Sequence, residues 1–351
     1  MRDSPIPSKL ISYSSLVGHN GIELHKMLGA VPSFRVKQVS TWIARGVKSF
    51  NDMTDLPLSW REELASRFTL YSSTVLQSLI DPDGTVKLQI KLSDGAAVEA
   101  VLLTDSSGRS TVCLSTQVGC PLACAFCKTG SLGFLRNISA AEIIEQFLHL
   151  RAVQPDIANI VFMGMGEPLL NTDALSQALS LLSSDFNVSP RRITVSTAGI
   201  PDGIRAVTEW EQSPRLALSL TTADSQLREQ LMPVSKAHSL SQVKDALRYY
   251  QQHTKHRVTL EAVLLKTINT RPKDARALAD FAKGLSVVVN LIPWNPVSGL
   301  SFSGMVLQCP TRAEVAAFAA ELERLGLTVT KRMSRGKGVA GACGQLGQLK
   351  C

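Results

Sequence analysis

The 351-residue sequence contains no run approaching the roughly 20 apolar positions that a membrane helix needs. Its opening, MRDSPIPSK, is polar and lacks the apolar centre of a secretory signal, so a cytoplasmic protein without membrane association is expected. Low-complexity segments and short-period repeats are absent, and 44% hydrophobic against 19% charged residues leaves no room for long disorder. None of the six histidines forms an H-E-x-x-H pair, which argues against a hydrolytic zinc site. What the sequence does have is length for one large domain with a small accessory one, seven cysteines, and a net charge of +8. That charge favours polyanionic partners, nucleic acid above all, although a solvated cationic surface carries the same balance.

Patterning divides the chain into three stretches. Residues 1–80 read as a small helical accessory domain, in which Phe34, Val39, Trp42 and Ile43 form an apolar stripe among Arg35, Lys37, Arg45 and Lys48. Residues 81–110 read as a β-hairpin connector: Val86, Leu88, Ile90 and Leu92 alternate with Lys87, Gln89 and Lys91 before an Asp94-Gly95 turn. From 111 to 351 strands and helices alternate. TVCLST, NIVFMG, RITVST, RLALSL, VTLEAVLL and VVVNLIPW begin six βα units, and the capping boxes Ser139–Glu142 and Thr311–Glu314 open two of the helices. Such units demand right-handed crossovers and a parallel sheet, and six are too few for a closed eight-unit barrel. The expected fold is α/β, a partial (β/α)6 barrel or open sheet with ligands at the carboxyl ends of its strands.

Four cysteines fall between Cys113 and Cys127, in a chain expected where thiols stay reduced. The segment Cys120-Pro-Leu-Ala-Cys124-Ala-Phe-Cys127 sets three thiols on an irregular loop able to wrap an iron–sulfur cluster or a zinc ion. Neither a second C-x-x-C knuckle nor a nearby histidine supplies a fourth zinc ligand. Three ligands leave one iron of a [4Fe–4S] cluster open, and the amino and carboxylate groups of S-adenosylmethionine can fill that position. A closed site recruiting Cys113 or Cys343 is the alternative.

Other segments have two readings each. Gly164-Met165-Gly166-Glu167 lets backbone approach a ligand or is a plain turn before Pro168. Lys331, Arg332, Arg335 and Lys337, with Arg191 and Arg192, steer RNA phosphates or face solvent. Met163 and Met165 read as packing, and Cys309 and Cys351 as thiols without a role.

C-x-x-x-C-x-aromatic-C, with Phe126 at the aromatic position, is the signature of the radical S-adenosylmethionine superfamily. CLSTQVGCPLACAFCKTG, VFMGMGEPLLN, ITVSTAG, NLIPWNP and ACGQL together resemble the RlmN/Cfr family of RNA adenine methyltransferases over nearly the whole chain. FRVKQVSTWIARGVKSFNDM resembles that family's N-terminal helical domain, which helps engage RNA. The resemblance implies one [4Fe–4S] cluster on Cys120, Cys124 and Cys127. It also implies S-adenosylmethionine contacts from Gly166, Glu167, Ser196, Ser219, Leu220, Thr221 and Asn295. Thr221 stands where the family commonly has His, and Lys337-Gly338 where it often has acidic residues.

An sp² C–H of adenine gives ordinary methyl transfer no nucleophile to use. The family's route implies Cys343, in Ala342-Cys343-Gly344-Gln345-Leu346, as methyl carrier. Two S-adenosylmethionines serve each turnover: one methylates the Cys343 thiolate, and the other is cleaved at the cluster. The 5′-deoxyadenosyl radical then takes a hydrogen from the S-methyl group, and the carbon radical adds to adenine. Glu99 accepts the ring proton and Cys113 attacks the Cys343 sulfur, leaving a disulfide; one residue is inserted between Glu99 and Cys113 relative to the family. On its own, Glu99 reads as a solvated hairpin charge.

The implied target is C2 of adenosine in 23S rRNA, with tRNA as a second substrate and an electron donor such as flavodoxin or ferredoxin. A Cfr-type reaction at C8 uses the same residues. The readings from other classes are a non-catalytic, metal-containing RNA-binding protein and a radical enzyme acting on protein or a small molecule. None of these motifs encodes an oligomeric state.

Overall fold

Asn20 opens the first helix, α1 (Gly21–Leu28), by accepting hydrogen bonds from the Ile22 and Glu23 amides while Glu23 caps back onto the Asn20 N–H. With α2 (Ser33–Ala44), α3 (Leu58–Arg67) and a two-residue parallel pair, β1 (Ser14–Ser15) beside β2 (Phe68–Thr69), it belongs to the first of two compact units, 1–72 and 73–351. The structure, a computed structural model, describes residues 14–347 except 333. On α2 the buried face is Val36, Val39 and Ile43, which repeat at helical spacing. Phe34, expected in that stripe, is 58% exposed, with the Arg35 guanidinium 5.0 Å from its ring centre.

The second unit is built on one ten-stranded sheet. β3 (Thr74–Ile80), β4 (Val86–Lys91), β5 (Ala97–Thr104) and β6 (Ser110–Cys113) pair antiparallel in sequence order. β7 (Gln117–Gly119) and β8 (Phe134–Asn137) form a separate antiparallel ribbon. β9 (Ile157–Phe162), β10 (Ile193–Thr197), β11 (Arg215–Ser219), β12 (Val258–Leu264) and β13 (Val287–Pro293) then add in parallel beyond β6. After a small hairpin of β14 (Ser301–Phe302) and β15 (Met305–Val306), β16 (Val329–Lys331) joins the far edge. The edges β3 and β16 do not pair, so the sheet is an open, partial barrel.

The crossovers carry α4 (Ala140–Val153), α5 (Thr172–Ser184), α6 (Pro201–Glu209), α7 (Ser225–Leu231), α8 (Leu240–Thr254), α9 (Pro272–Ala282) and α10 (Arg312–Arg324). The capping boxes at Ser139 and Thr311 open α4 and α10. No helix among the described residues is long and apolar enough to cross a membrane.

All six expected βα strands are present, as β6 and β9 to β13, and the hairpin expected within 81–110, observed as β4 and β5, continues the same sheet. β3 and β16 are additions to the expected set. β3 points Leu76 and Ile80 at solvent and so shows no alternation, and β16 is only three residues long. Parallel order brings the carboxyl ends of six strands to one rim of the sheet. There lie Cys113, Met163, Thr197, Ser219, Leu264 and Trp294.

Candidate active site

The loop between β7 and β8 carries Cys120, Cys124 and Cys127, and its backbone is tied on several sides. The Cys120 N–H donates to Gly133 O at 2.8 Å, that of Ala125 to Leu231 O at 2.9 Å, and that of Lys128 to Gly344 O at 2.8 Å. Trp294 Nε1 donates to Phe126 O at 2.9 Å. Gly119 enters the loop at φ 75°, where a Cβ would strike the Gly133 carbonyl. All three cysteines line a cavity of about 150 Å³.

Burial pushes these thiols up: Cys120 to about 12, Cys124 well above its ordinary value, and Cys127 upward. They become thiolates only with a cation that offsets their desolvation. Among the described residues, no three His, Cys, Asp or Glu side chains close on one point as a single ion requires. A cuboidal cluster takes cysteines at separate iron corners, and three thiols on one short loop suit that donor pattern.

Across the cavity, the end of β9 lies tight against the segment after β6. A Cβ on Gly164 would meet the Leu114 carbonyl at 2.7 Å, and one on Gly166 (φ 99°) the Gln117 N at 2.8 Å. Glu167 follows, buried, with Oε2 accepting from Ala198 N–H at 2.8 Å and Oε1 from Leu169 N–H at 3.1 Å. Burial pushes its carboxyl up to about 6, against the pull of those bonds. Ser196 Oγ donates to Glu261 Oε2 at 3.1 Å and lies 3.1 Å from Ser219 Oγ. Asn295 Nδ2 donates to Cys343 O at 3.0 Å, while its Oδ1 is buried without a protein partner. That acceptor suits a donor group of a ligand.

A second cavity, of about 340 Å³, is lined by Cys113, Cys343, Met163, Arg109, Arg332 and Arg335. Cys343, Met163 and Asn295 line both cavities, so Cys343 stands in the wall they share. Cys113 and Cys343 are free thiols. Burial, with Cys343 adding, pushes Cys113 up to about 12. The charge of Cys343 is the largest influence on Arg332, raising it, with Glu261 and Cys113 adding, against burial. This coupling sets the Arg332 guanidinium beside Cys343 in the wall of the second cavity.

The rim therefore gathers Cys120, Cys124, Cys127, Gly166, Glu167, Ser196, Ser219 and Asn295 around the first cavity, and Cys113 and Cys343 at the second. Three expected residues stand elsewhere. Leu220 and Thr221 are buried and line neither cavity: the Leu220 carbonyl accepts from Arg228 Nε, and the Thr221 N–H donates to Glu261 O at 3.0 Å. Glu99 also lines neither. It is 1% exposed, with Oε1 paired to Lys87 Nζ at 2.9 Å and Oε2 accepting from Gly347 N–H at 2.7 Å. The reading of Glu99 as a solvated hairpin charge is therefore corrected: its carboxylate is held inside the protein by Lys87 and Gly347.

Other basic residues sort by position. Arg191 and Arg192 are exposed before β10 and line neither cavity. Arg332 and Arg335 line the second cavity, whereas Lys331 and Lys337 are exposed. Met165 packs in the core, 1% exposed. The Cys309 thiol lies 3.5 Å from the Pro310 carbonyl, and Cys351 lies outside the described residues. Sequence patterning singled out neither Glu261 nor Arg228, since a lone charge in a strand or a seven-residue helix leaves no periodic trace.

Comparison with known proteins agrees with this geometry. The Radical SAM superfamily model matches residues 114–281. A probable dual-specificity RNA methyltransferase RlmN of Treponema pallidum is 48% identical over 328 residues, spanning 93% of this chain and 95% of that protein. The protein of the same name from Thermus thermophilus is 44% identical over 320 residues, spanning 89% and 88%. The crystal structure of a radical SAM methyltransferase from Sphaerobacter thermophilus matches with a TM-score of 0.89 at 34% identity, covering 95% of this chain and 99% of that one.

Proposed function

Because the chain belongs to the RlmN family of radical S-adenosylmethionine RNA methyltransferases, we propose that it methylates C2 of adenosine in 23S rRNA, with tRNA as a second substrate, using Cys343 as methyl carrier. A [4Fe–4S] cluster on Cys120, Cys124 and Cys127 would supply one-electron cleavage of S-adenosylmethionine and hence a 5′-deoxyadenosyl radical. The observation that carries this reading is the place of Cys343 in the wall between two cavities, with Cys113 in the second. From the first cavity Cys343 takes a methyl group from one S-adenosylmethionine, with the Arg332 guanidinium beside it. A second is consumed for each product, with electrons from a donor such as flavodoxin or ferredoxin.

Glu167, Ser196, Ser219 and Asn295 hold the cosubstrate in this reading, the bare acceptor on Asn295 taking one of its donors. The second cavity takes the adenine, and Arg109, Arg332 and Arg335 suit its flanking phosphates. Once the methylene carbon is bonded to the ring, Cys113 closes the route. Its sulfur bonds to that of Cys343 as the Cys343 S–C bond breaks with the electron pair passing to carbon, which takes up the Cys113 proton. The ring proton leaves, the unpaired electron of the adduct returns to the electron donor, and a dithiol reductant restores both thiols. Glu99 accepts the ring proton in this scheme, which requires the Gly347 N–H to leave its Oε2 as RNA enters. The helical unit before Ser73 adds RNA contacts, and the RNA substrates place the enzyme in the cytoplasm.

The test is nucleoside mass spectrometry of rRNA and tRNA from cells with and without the protein. The expected difference is 2-methyladenosine; 8-methyladenosine alone would move the assignment to the Cfr-type reaction.

A further inference from the structure

Arg228 is among the largest fully buried side chains of the protein, at 0% exposure, and no carboxylate pairs with it among the described residues. Every hydrogen-bond partner of its guanidinium among the described residues is neutral. Nε donates to Leu220 O at 3.1 Å, one terminal nitrogen to Ser235 Oγ, and the other to Ala198 O at 2.6 Å and Ser219 O at 3.4 Å. Arginine stays protonated in such a setting. A buried charge without a counter-charge is strongly destabilising, and neutral donors could staple the same carbonyls. The positive charge therefore needs another partner.

The surroundings supply one. Arg228 lies on α7, whose last residue, Leu231, accepts the Ala125 N–H of the cysteine loop at 2.9 Å. Leu231 and Met232 pack in one cluster with Phe126, Cys124 and Cys127. Among the loop thiols it is Cys124 that couples electrostatically to the guanidinium. Three thiolates outweigh the two positive charges of an oxidised [4Fe–4S] core by one, and one-electron reduction doubles that excess.

We propose that Arg228 is the counter-charge of the cysteine-bound cluster, and that it favours the reduced form needed to cleave S-adenosylmethionine. The inference rests on the cluster assignment above. It makes Arg228 an electrostatic and positioning residue: it touches no substrate, but its carbonyl bonds hold the ends of β10 and β11 at the first cavity.

The experiment is a redox titration of anaerobically reconstituted full-length protein, followed by the paramagnetic resonance of the reduced cluster, with iron and sulfide measured on each sample. Arg228→Gln is expected to keep its cluster but to lose about tenfold in reduced-to-oxidised ratio at the wild-type midpoint, a shift of about 59 mV to lower potential for one electron. Arg228→Lys should recover most of that shift. Ser235→Asp, which gives Arg228 a protein carboxylate while keeping the guanidinium in place, should shift the same way and serves if Arg228→Gln does not fold. A full cluster with an unchanged midpoint in Arg228→Gln, or in Ser235→Asp where that variant has to serve, would reduce Arg228 to a neutral staple. Wild-type protein that binds no iron and sulfide would instead overturn the cluster assignment, and with it this role.

Discussion

Cys343 faces two cavities, so single substitutions should separate two chemistries. Cys343→Ala leaves the cysteine loop and Glu167 intact; it is expected to keep iron, sulfide and reductive cleavage of S-adenosylmethionine while RNA methylation falls to background. Cys113→Ala removes only the releasing thiol, and a covalent protein–RNA adduct through Cys343 should accumulate, visible on a denaturing gel. Glu167 tests the electrostatics of the first cavity. Its carboxyl is raised from 4.5 to about 6 by burial, so the folded state holds the proton longer than the unfolded one. The stability this group contributes is full below pH 4.5 and lost as pH rises through about 6, a loss of about 2 kcal/mol. Glu167→Gln should flatten that part of the profile in urea unfolding of the protein without cosubstrate. At this scale the cysteine run was legible because its three thiols fall within eight residues of sequence. Arg228, Glu261 and Arg332 acquire their partners only when distant strands meet.

Among the elements, the β7–β8 ribbon has the narrowest tolerance. It holds both ends of the cysteine loop, and its pairing depends on Gly119 lying against the Gly133 carbonyl at positive φ. Gly119→Ala carries roughly 1–2 kcal/mol from the left-handed conformation alone, and the collision adds to it. Lower iron content per chain and a lower urea midpoint are expected together; unchanged iron would show that the loop keeps its shape without the ribbon. The six parallel strands were readable because both faces of each are largely buried and leave near-continuous apolar runs, as in VTLEAVLL. The ribbon escaped notice: its strands span Gln117–Gly119 and Phe134–Asn137, too short for a period to show. Glu99 misled for a related reason. Its neighbours alternate like a half-exposed hairpin, yet the strand is buried on both sides and the carboxylate is spent on Lys87 and Gly347.

For the whole molecule, a net charge of +8 pointed to nucleic acid without locating the surface. The cavities sort the cations: Arg109, Arg332 and Arg335 border the second, whereas Arg191 and Arg192, before β10, line neither. RNA affinity should fall linearly with salt on logarithmic axes, and Arg109→Ala should reduce the slope by about 0.7 if it meets one phosphate of a single strand. Arg191→Ala should leave the slope unchanged. The central claim is that the methyl group travels through Cys343. It is tested most directly by giving the reduced enzyme S-adenosylmethionine with a fully deuterated methyl group, then mapping both the protein and the RNA by mass spectrometry. The expected result is labelled S-methyl on Cys343 before RNA is added, and afterwards an adenosine methyl group that has lost one deuterium to 5′-deoxyadenosine. An RNA methyl group with its label intact and an unmodified Cys343 would contradict it.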